Sequence, residues 1–186
     1  MKTKKTLYSL CECGVLVAAA VALSFLKVSL WAQGGSVDLV TVPLVILAYR
    51  HGFVWGLGGG MVFGLLDCIL GGGIGWGIAS VLLDYVLAYG MMAFAASFRK
   101  KGLLGLELGA VLACLARFLV HFVAGITLWR IAVGSEAEIF GMTFGSEASV
   151  WYSLVYNGSY MAVNLVLALL ILPIFYPVLE KRRKDS

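Results

Sequence analysis

The sequence predicts an all-α integral membrane protein, a single domain spanning residues 1–186 and built as a bundle of six transmembrane helices with both termini cytoplasmic. Three observations carry this. Hydrophobic residues make up 61% of the chain and charged residues only 13%, with a mean hydropathy of +0.97. A soluble domain runs at about 45–50% and about 25%, so a core of this size could not hide so much apolar surface from water. The apolar residues fall into six runs, most of them near the roughly 20 residues that a spanning helix needs. The basic residues gather at the ends of those runs.

In chain order the predicted helices cover about 7–26, 39–48, 52–70, 77–98, 103–129 and 150–179. The second is short and contains Pro43. The third carries Gly52, Gly56, Gly60 and Gly64, spaced by four so that they share one face and let a neighbouring helix come close. Packing within the bundle is the preferred use of that strip. The first helix has a similar strip at Gly14, Ala18 and Ala22, where docking of a different protein competes with internal packing. The stretch 71–77 reads as a flexible outer loop. It lacks the Gly-Lys-Ser/Thr ending of a phosphate-binding loop and no strand precedes it.

Charge sets the orientation. With the N-terminus inside and six crossings, eleven of the fourteen Lys and Arg residues fall on the cytoplasmic side: the N-terminal lysines, Arg50, Arg99 to Lys101 and the cluster 181–184. The outside receives Lys27, Arg130 and an acidic loop with Glu136, Glu138 and Glu147. This follows the excess of positive charge in cytoplasmic loops and gives a multi-pass protein of the cell membrane, in contact with lipid. The net charge of +4 is therefore a topology signal and not a nucleic-acid stripe. The basic start and the apolar run to Ala22 fit a cleaved signal loosely, but no polar cleavage region follows, so retention is expected. Cys11, Cys13, Cys68 and Cys114 lie in apolar runs without metal-ligand spacing and read as small apolar filler.

Ionisable residues inside a bilayer are costly, which makes each one a functional candidate. Asp67, Asp84, Arg117 and His121 are the set. Arg117, His121, Gly125 and Trp129 recur every four residues on one face of the fifth helix, a pattern suited to a polar cavity and not to lipid. For Arg117 a purely structural pairing with Asp84 or Asp67 is equally open. Asp84 with Tyr85 offers a carboxylate for a cationic or amine-bearing ligand. The sixth helix opens with Trp151, Tyr152, Tyr156, Asn157 and Tyr160, continued by Asn164. A membrane-interface belt explains Trp151 but not Asn157, whose amide needs a partner at that depth. Trp31, flanked by glycines, reads either as an aromatic on a mobile lid or as an interfacial anchor. Together these residues suit a small, flat cation with hydrogen-bonding edges. They form neither a nucleophile–base pair nor a metal cluster.

Five stretches in this order resemble the thiamine-specific substrate-binding subunit, or S-component, of the energy-coupling factor vitamin importers of Gram-positive bacteria. They are 31–43 (WAQGGSVDLVTVP), 49–64 (YRHGFVWGLGGGMVFG), Asp84–Tyr85, 117–129 (RFLVHFVAGITLW) and 152–160 (YSLVYNGSY). The resemblance implies a six-helix bundle that binds thiamine at the extracellular side beneath the loop joining the first two helices. Carried over residue by residue, the site comprises Trp31, Asp84, Tyr85, His121, Gly125, Trp129, Tyr152 and Asn157. It also implies that Gly14, Ala18 and Ala22 dock on a transmembrane coupling protein driven by two ATPase subunits. It implies no enzyme activity and no cofactor, with thiamine as the transported ligand. Asp84 departs from the glutamate usual in the family and is shorter by one methylene. An S-component for riboflavin or hydroxymethylpyrimidine, an intramembrane enzyme using Asp84 and His121, and a structural scaffold are the alternatives.

Overall fold

A computed structural model describes residues 2–31, 34–128, 136–139, 142–145 and 149–184. Six helices make up the bundle: α1 (Lys2–Ser24), α2 (Thr41–His51), α3 (Phe53–Leu70), α4 (Ile78–Phe98), α5 (Gly102–Thr127) and α6 (Ser149–Lys184). Two antiparallel hairpins, which the all-α expectation did not include, lie in outer connections. One pairs β1 (Val28–Trp31) with β2 (Gly34–Val37), the other β3 (Glu136–Ile139) with β4 (Met142–Gly145). The predicted outer loop 71–77 contains a 3-10 turn at Gly73–Trp76.

Five of these helices are long and apolar enough to cross a bilayer; α2 is the exception. Its 11 residues rise only about 16 Å, against a hydrocarbon core of about 30 Å. It can be short because it sits inside the bundle: every residue from Thr41 to Tyr49 is buried. A helix that is apolar all round belongs in an interior, and the irregular backbone at its outer end meets protein and not lipid. Pro43 falls in its first turn, where the missing N–H costs no helical bond. Asp38 completes that end by accepting the Val40 N–H at 3.0 Å.

Gly52, assigned from sequence to the third helix, is instead the hinge between α2 and α3. Its φ of 96° lies where side-chain-bearing residues rarely go. The rest of the glycine face does pack internally. A Cβ at Gly56 would meet Ala48 and Ala93; one at Gly60 would strike the Tyr89 carbonyl, and one at Gly64 the Tyr85 carbonyl. The backbone of α4 thus lies directly on α3. Along this contact α4 is not a regular α-helix: Val81–Leu87 is π-helical and Met91–Phe98 is 3-10. A π-helical stretch with i→i+5 bonding is a frequent mark of a functional site.

Ion pairs tie the cytoplasmic half together. Glu12 of α1 meets Arg50 at 2.7 Å and His51 at 3.2 Å. Arg99, after α4, donates to the Arg50 carbonyl at 2.7 Å, and the Tyr49 hydroxyl donates to the Gly102 carbonyl at 2.9 Å. Helix α1 packs on α2 and α3. Its strip of Gly14, Ala18 and Ala22 faces outward and is exposed, and a Cβ at Gly14 would meet nothing within 4 Å.

The glycine face makes a sharp prediction. Gly60→Ala should lower the thermal unfolding midpoint of the detergent-solubilised chain, at a cost of about 1–3 kcal/mol for overpacking. Gly58→Ala, with open space around the new Cβ, should leave the midpoint unchanged or raise it. Equal midpoints for the two variants would contradict the contact.

Candidate functional site

The outer halves of α3 to α6 enclose a cavity of about 450 Å³, within the ~300–1,000 Å³ range of small-ligand sites. Each helix delivers polar groups by its own periodicity. From α5 come Arg117, His121 and Gly125, one turn apart; from α6 come Tyr152, Ser153, Tyr156, Asn157 and Tyr160; from α4, Ser80, Asp84, Tyr85 and Tyr89; from α3, Asp67. The β1–β2 hairpin and the 71–77 connection add Lys27, Ser29, Gly35, Ser36 and Trp76.

Asp84 lies in the π-helical stretch and both its oxygens are engaged. Ser80 donates to Oδ2 at 2.9 Å, and His121 Nδ1 lies 3.2 Å from Oδ1. A carboxylate only accepts, so Nδ1 is the donor and the imidazole is held by its α4 neighbour. The partner considered for Asp84 from sequence was Arg117; the structure gives it His121. Arg117 instead lays its guanidinium carbon 4.1 Å from the centre of the Tyr89 ring, a cation–π contact that gains strength when desolvated. Burial leaves Arg117 only 6% exposed.

The α5–α6 wall is fixed by a chain of hydrogen bonds. The Asn157 amide donates to the Ser153 carbonyl at 3.0 Å, and its oxygen accepts from the Tyr160 hydroxyl at 3.0 Å. Ser153 donates to the Phe122 carbonyl at 3.0 Å. The two helices meet closely here because residue 125 is glycine: a Cβ would collide with the Ser153 hydroxyl. The asparagine predicted to need a partner therefore has several. On the same face Tyr152 and Tyr156 stack, with ring centres 5.6 Å apart and planes 10° apart, and Tyr156 meets Tyr160 edge-on at 5.7 Å.

The hairpin closes over these rings. A Cβ on Gly35 would lie 2.8 Å from the Tyr160 ring and 3.3 Å from the Tyr156 hydroxyl. Asn164 clamps the hairpin's return strand through both ends of its amide, accepting from the Asp38 N–H at 3.0 Å and donating to the Ser36 carbonyl at 3.0 Å. Burial pushes the Asp38 carboxyl above its usual range, opposed by the Arg117 charge and the Val40 N–H.

Of the residues singled out from sequence, Asp84, Tyr85, His121, Gly125, Tyr152 and Asn157 line this one cavity. Trp31 ends strand β1, and Trp129 lies outside the described residues. The sequence reading did not assign Ser80, Tyr89, Ser153 or Lys27 to the site. Tyr89 could have been found as the residue four beyond Tyr85 on the same helix. Ser80 carries no such signal, since a small hydroxyl in an apolar run is common.

The family model described as "thiamine transporter protein" matches residues 10–184. A thiamine transporter ThiT of Bacillus subtilis (strain 168) is 27% identical over 193 residues, spanning 100% of this chain and 99% of that protein. ThiT of Lacticaseibacillus paracasei is 26% identical over 194 residues, with 96% and 91% covered. A solved structure of ThiT from Listeria monocytogenes superposes with a TM-score of 0.79 at 25% identity, covering 95% of this chain and 97% of that one.

The clamp is open to direct measurement. Replacing Asn164 with Ala removes two buried hydrogen bonds, a loss on the order of 1–3 kcal/mol. The Asp38 and hairpin amides of the full chain should then exchange about 10–100 times faster with deuterium. Unchanged protection would mean that the hairpin is held by something else.

Proposed function

The chain belongs to the thiamine transporter protein family, and on that premise we propose that it is a thiamine-specific S-component of an energy-coupling factor importer. It captures thiamine at the extracellular face and delivers it through a transmembrane coupling protein powered by two ATPase subunits. Members of this family are transporters and not enzymes, and the apolar helices make this one a multi-pass membrane protein, assigned here to the cell membrane. The observation that carries the ligand is the make-up of the cavity: stacked Tyr152 and Tyr156 beside two carboxylates, Asp67 and Asp84. Thiamine joins a cationic thiazolium to a flat aminopyrimidine. Aromatic faces and carboxylates attract the first, while fixed amide and imidazole groups suit the hydrogen-bonding edge of the second.

The wall supports tight capture because its groups are already in place. Asn157 and His121 are each held by neighbours, so little ordering is left to be done when a ligand arrives. The hairpin over Tyr156 and Tyr160 supplies a cover that would slow release. Nothing in the sequence resembles a nucleotide-binding motif, so the energy for release and import is assigned to partner subunits. The exposed Gly14, Ala18 and Ala22 strip on α1 is the surface offered to the coupling protein, since small residues permit close helix approach within a membrane.

The purified chain should bind thiamine saturably without ATP, read by quenching of its tryptophan fluorescence. Absence of thiamine-dependent quenching at micromolar ligand would sink the assignment. Competition by riboflavin or hydroxymethylpyrimidine at lower concentration than thiamine would redirect it to another vitamin. Asp84→Ala should weaken thiamine binding by about tenfold or more, since it frees His121 and removes a buried charge. Ala18→Trp on the outer face should reduce co-purification with the coupling module while thiamine affinity stays at the wild-type value; loss of both together would move that strip out of the docking role.

A further inference from the structure

The two carboxylates of the cavity are not equivalent. Asp84 has its oxygens committed to Ser80 and His121. Asp67 is 8% exposed and lines the same cavity, yet no hydrogen bond or ion pair reaches its carboxylate among the described residues. An ionised carboxylate buried without a partner carries a desolvation penalty of several kcal/mol, so such groups are found paired or facing a ligand that pairs them. Among the described residues the protein's own cations do not fill that role. Arg117 stands over the Tyr89 ring, and no Lys27–Asp67 ion pair within 4 Å occurs among the described residues.

Resting on the reading of the chain as a thiamine-binding subunit, we propose that Asp67 supplies the counter-charge to the ligand's cationic ring, and that Asp84 is a positioning residue that acts through His121. The position of Asp67 follows from the fold. It is one turn beyond Gly64, where a Cβ would strike the Tyr85 carbonyl. The Asp67 carboxylate is thereby brought beside the π-helical stretch that carries Asp84 and Tyr85. The side chain at position 84 agrees with this division. It satisfies Ser80 four residues before it on its own helix and the imidazole across the cavity wall. Cation recognition falls to the group that no partner among the described residues engages.

The test varies the charge of the ligand as well as of the protein. Dissociation constants are measured on the full chain in nanodiscs for thiamine and for 3-deazathiamine, its neutral isostere. The wild-type protein should prefer thiamine by about tenfold or more. Asp67→Asn should bring that preference to within about twofold of unity, by weakening thiamine alone. Asp67→Glu, which keeps the charge, should retain the preference even if both affinities fall. Asp84→Asn should weaken the two ligands alike and leave their ratio standing. A ratio preserved in Asp67→Asn, or one lost in Asp84→Asn instead, overturns the assignment of Asp67 while leaving the thiamine reading in place. A wild-type chain that binds neither ligand overturns both.

Discussion

The site depends on one contact, the laying of α4's backbone on the glycine face of α3. Gly60 and Gly64 touch the Tyr89 and Tyr85 carbonyls directly, an approach that any side chain at either position would forbid. Within a bilayer this matters more than in water. Lipid gives helices no hydrophobic reason to associate, so close packing supplies the attraction. The contact also sets the site's chemistry. It fixes how far Asp67, one turn past Gly64, stands from Asp84 and Tyr85. Carbonyls that meet glycine so closely belong to a helix that departs from α geometry over Val81–Leu87, the stretch that presents Asp84 and Tyr85 at the cavity wall.

On the opposite side the wall is rigid for a different reason. Polar groups away from water must find partners, and here they find them in one another. Asn157, Ser153 and Tyr160 bond to one another along α6, Ser153 reaches the Phe122 carbonyl across a helix junction that Gly125 holds close, and Asn164, two turns beyond Asn157, extends the same face to the hairpin. One face of α6 thus does two jobs. It orders the tyrosine rings and it fastens the cover that lies on them. Opening the hairpin means giving up two amide hydrogen bonds and the Gly35 contact, which couples access to the cavity to a small number of identifiable interactions.

Much of this was legible in the sequence because a bilayer leaves few options. Apolar runs had to be helices, and the placement of lysines and arginines gave their direction. The four-residue spacing of Arg117, His121 and Gly125 placed them on one face, and the glycines of α3 announced a close neighbour. What escaped the sequence was pairing between helices. Nothing in the chain order says that Asp84 meets His121 and not Arg117, or that Arg117 meets Tyr89, because that depends on the rotation of α4, which its π and 3-10 segments change. Gly52 was grouped with the glycine strip because its spacing matched, whereas its positive φ makes it a hinge. The short α2 was counted among the six spans; its 11 residues fall below the length rule, which assumes contact with lipid, and this helix is surrounded by protein.

The part that Asp84 plays can be understood from these pairings. Asp84 stands in the cavity wall, where Ser80 and His121 engage both of its oxygens. On the assignment proposed above, the charge left for a cation is Asp67, buried and unclaimed among the described residues. Positions 67 and 84 lie on adjacent helices joined by the glycine contact. On this view the identity of residue 84 is not a measure of whether the cavity takes a cation. What decides it is the sum of charge that α3 and α4 together present.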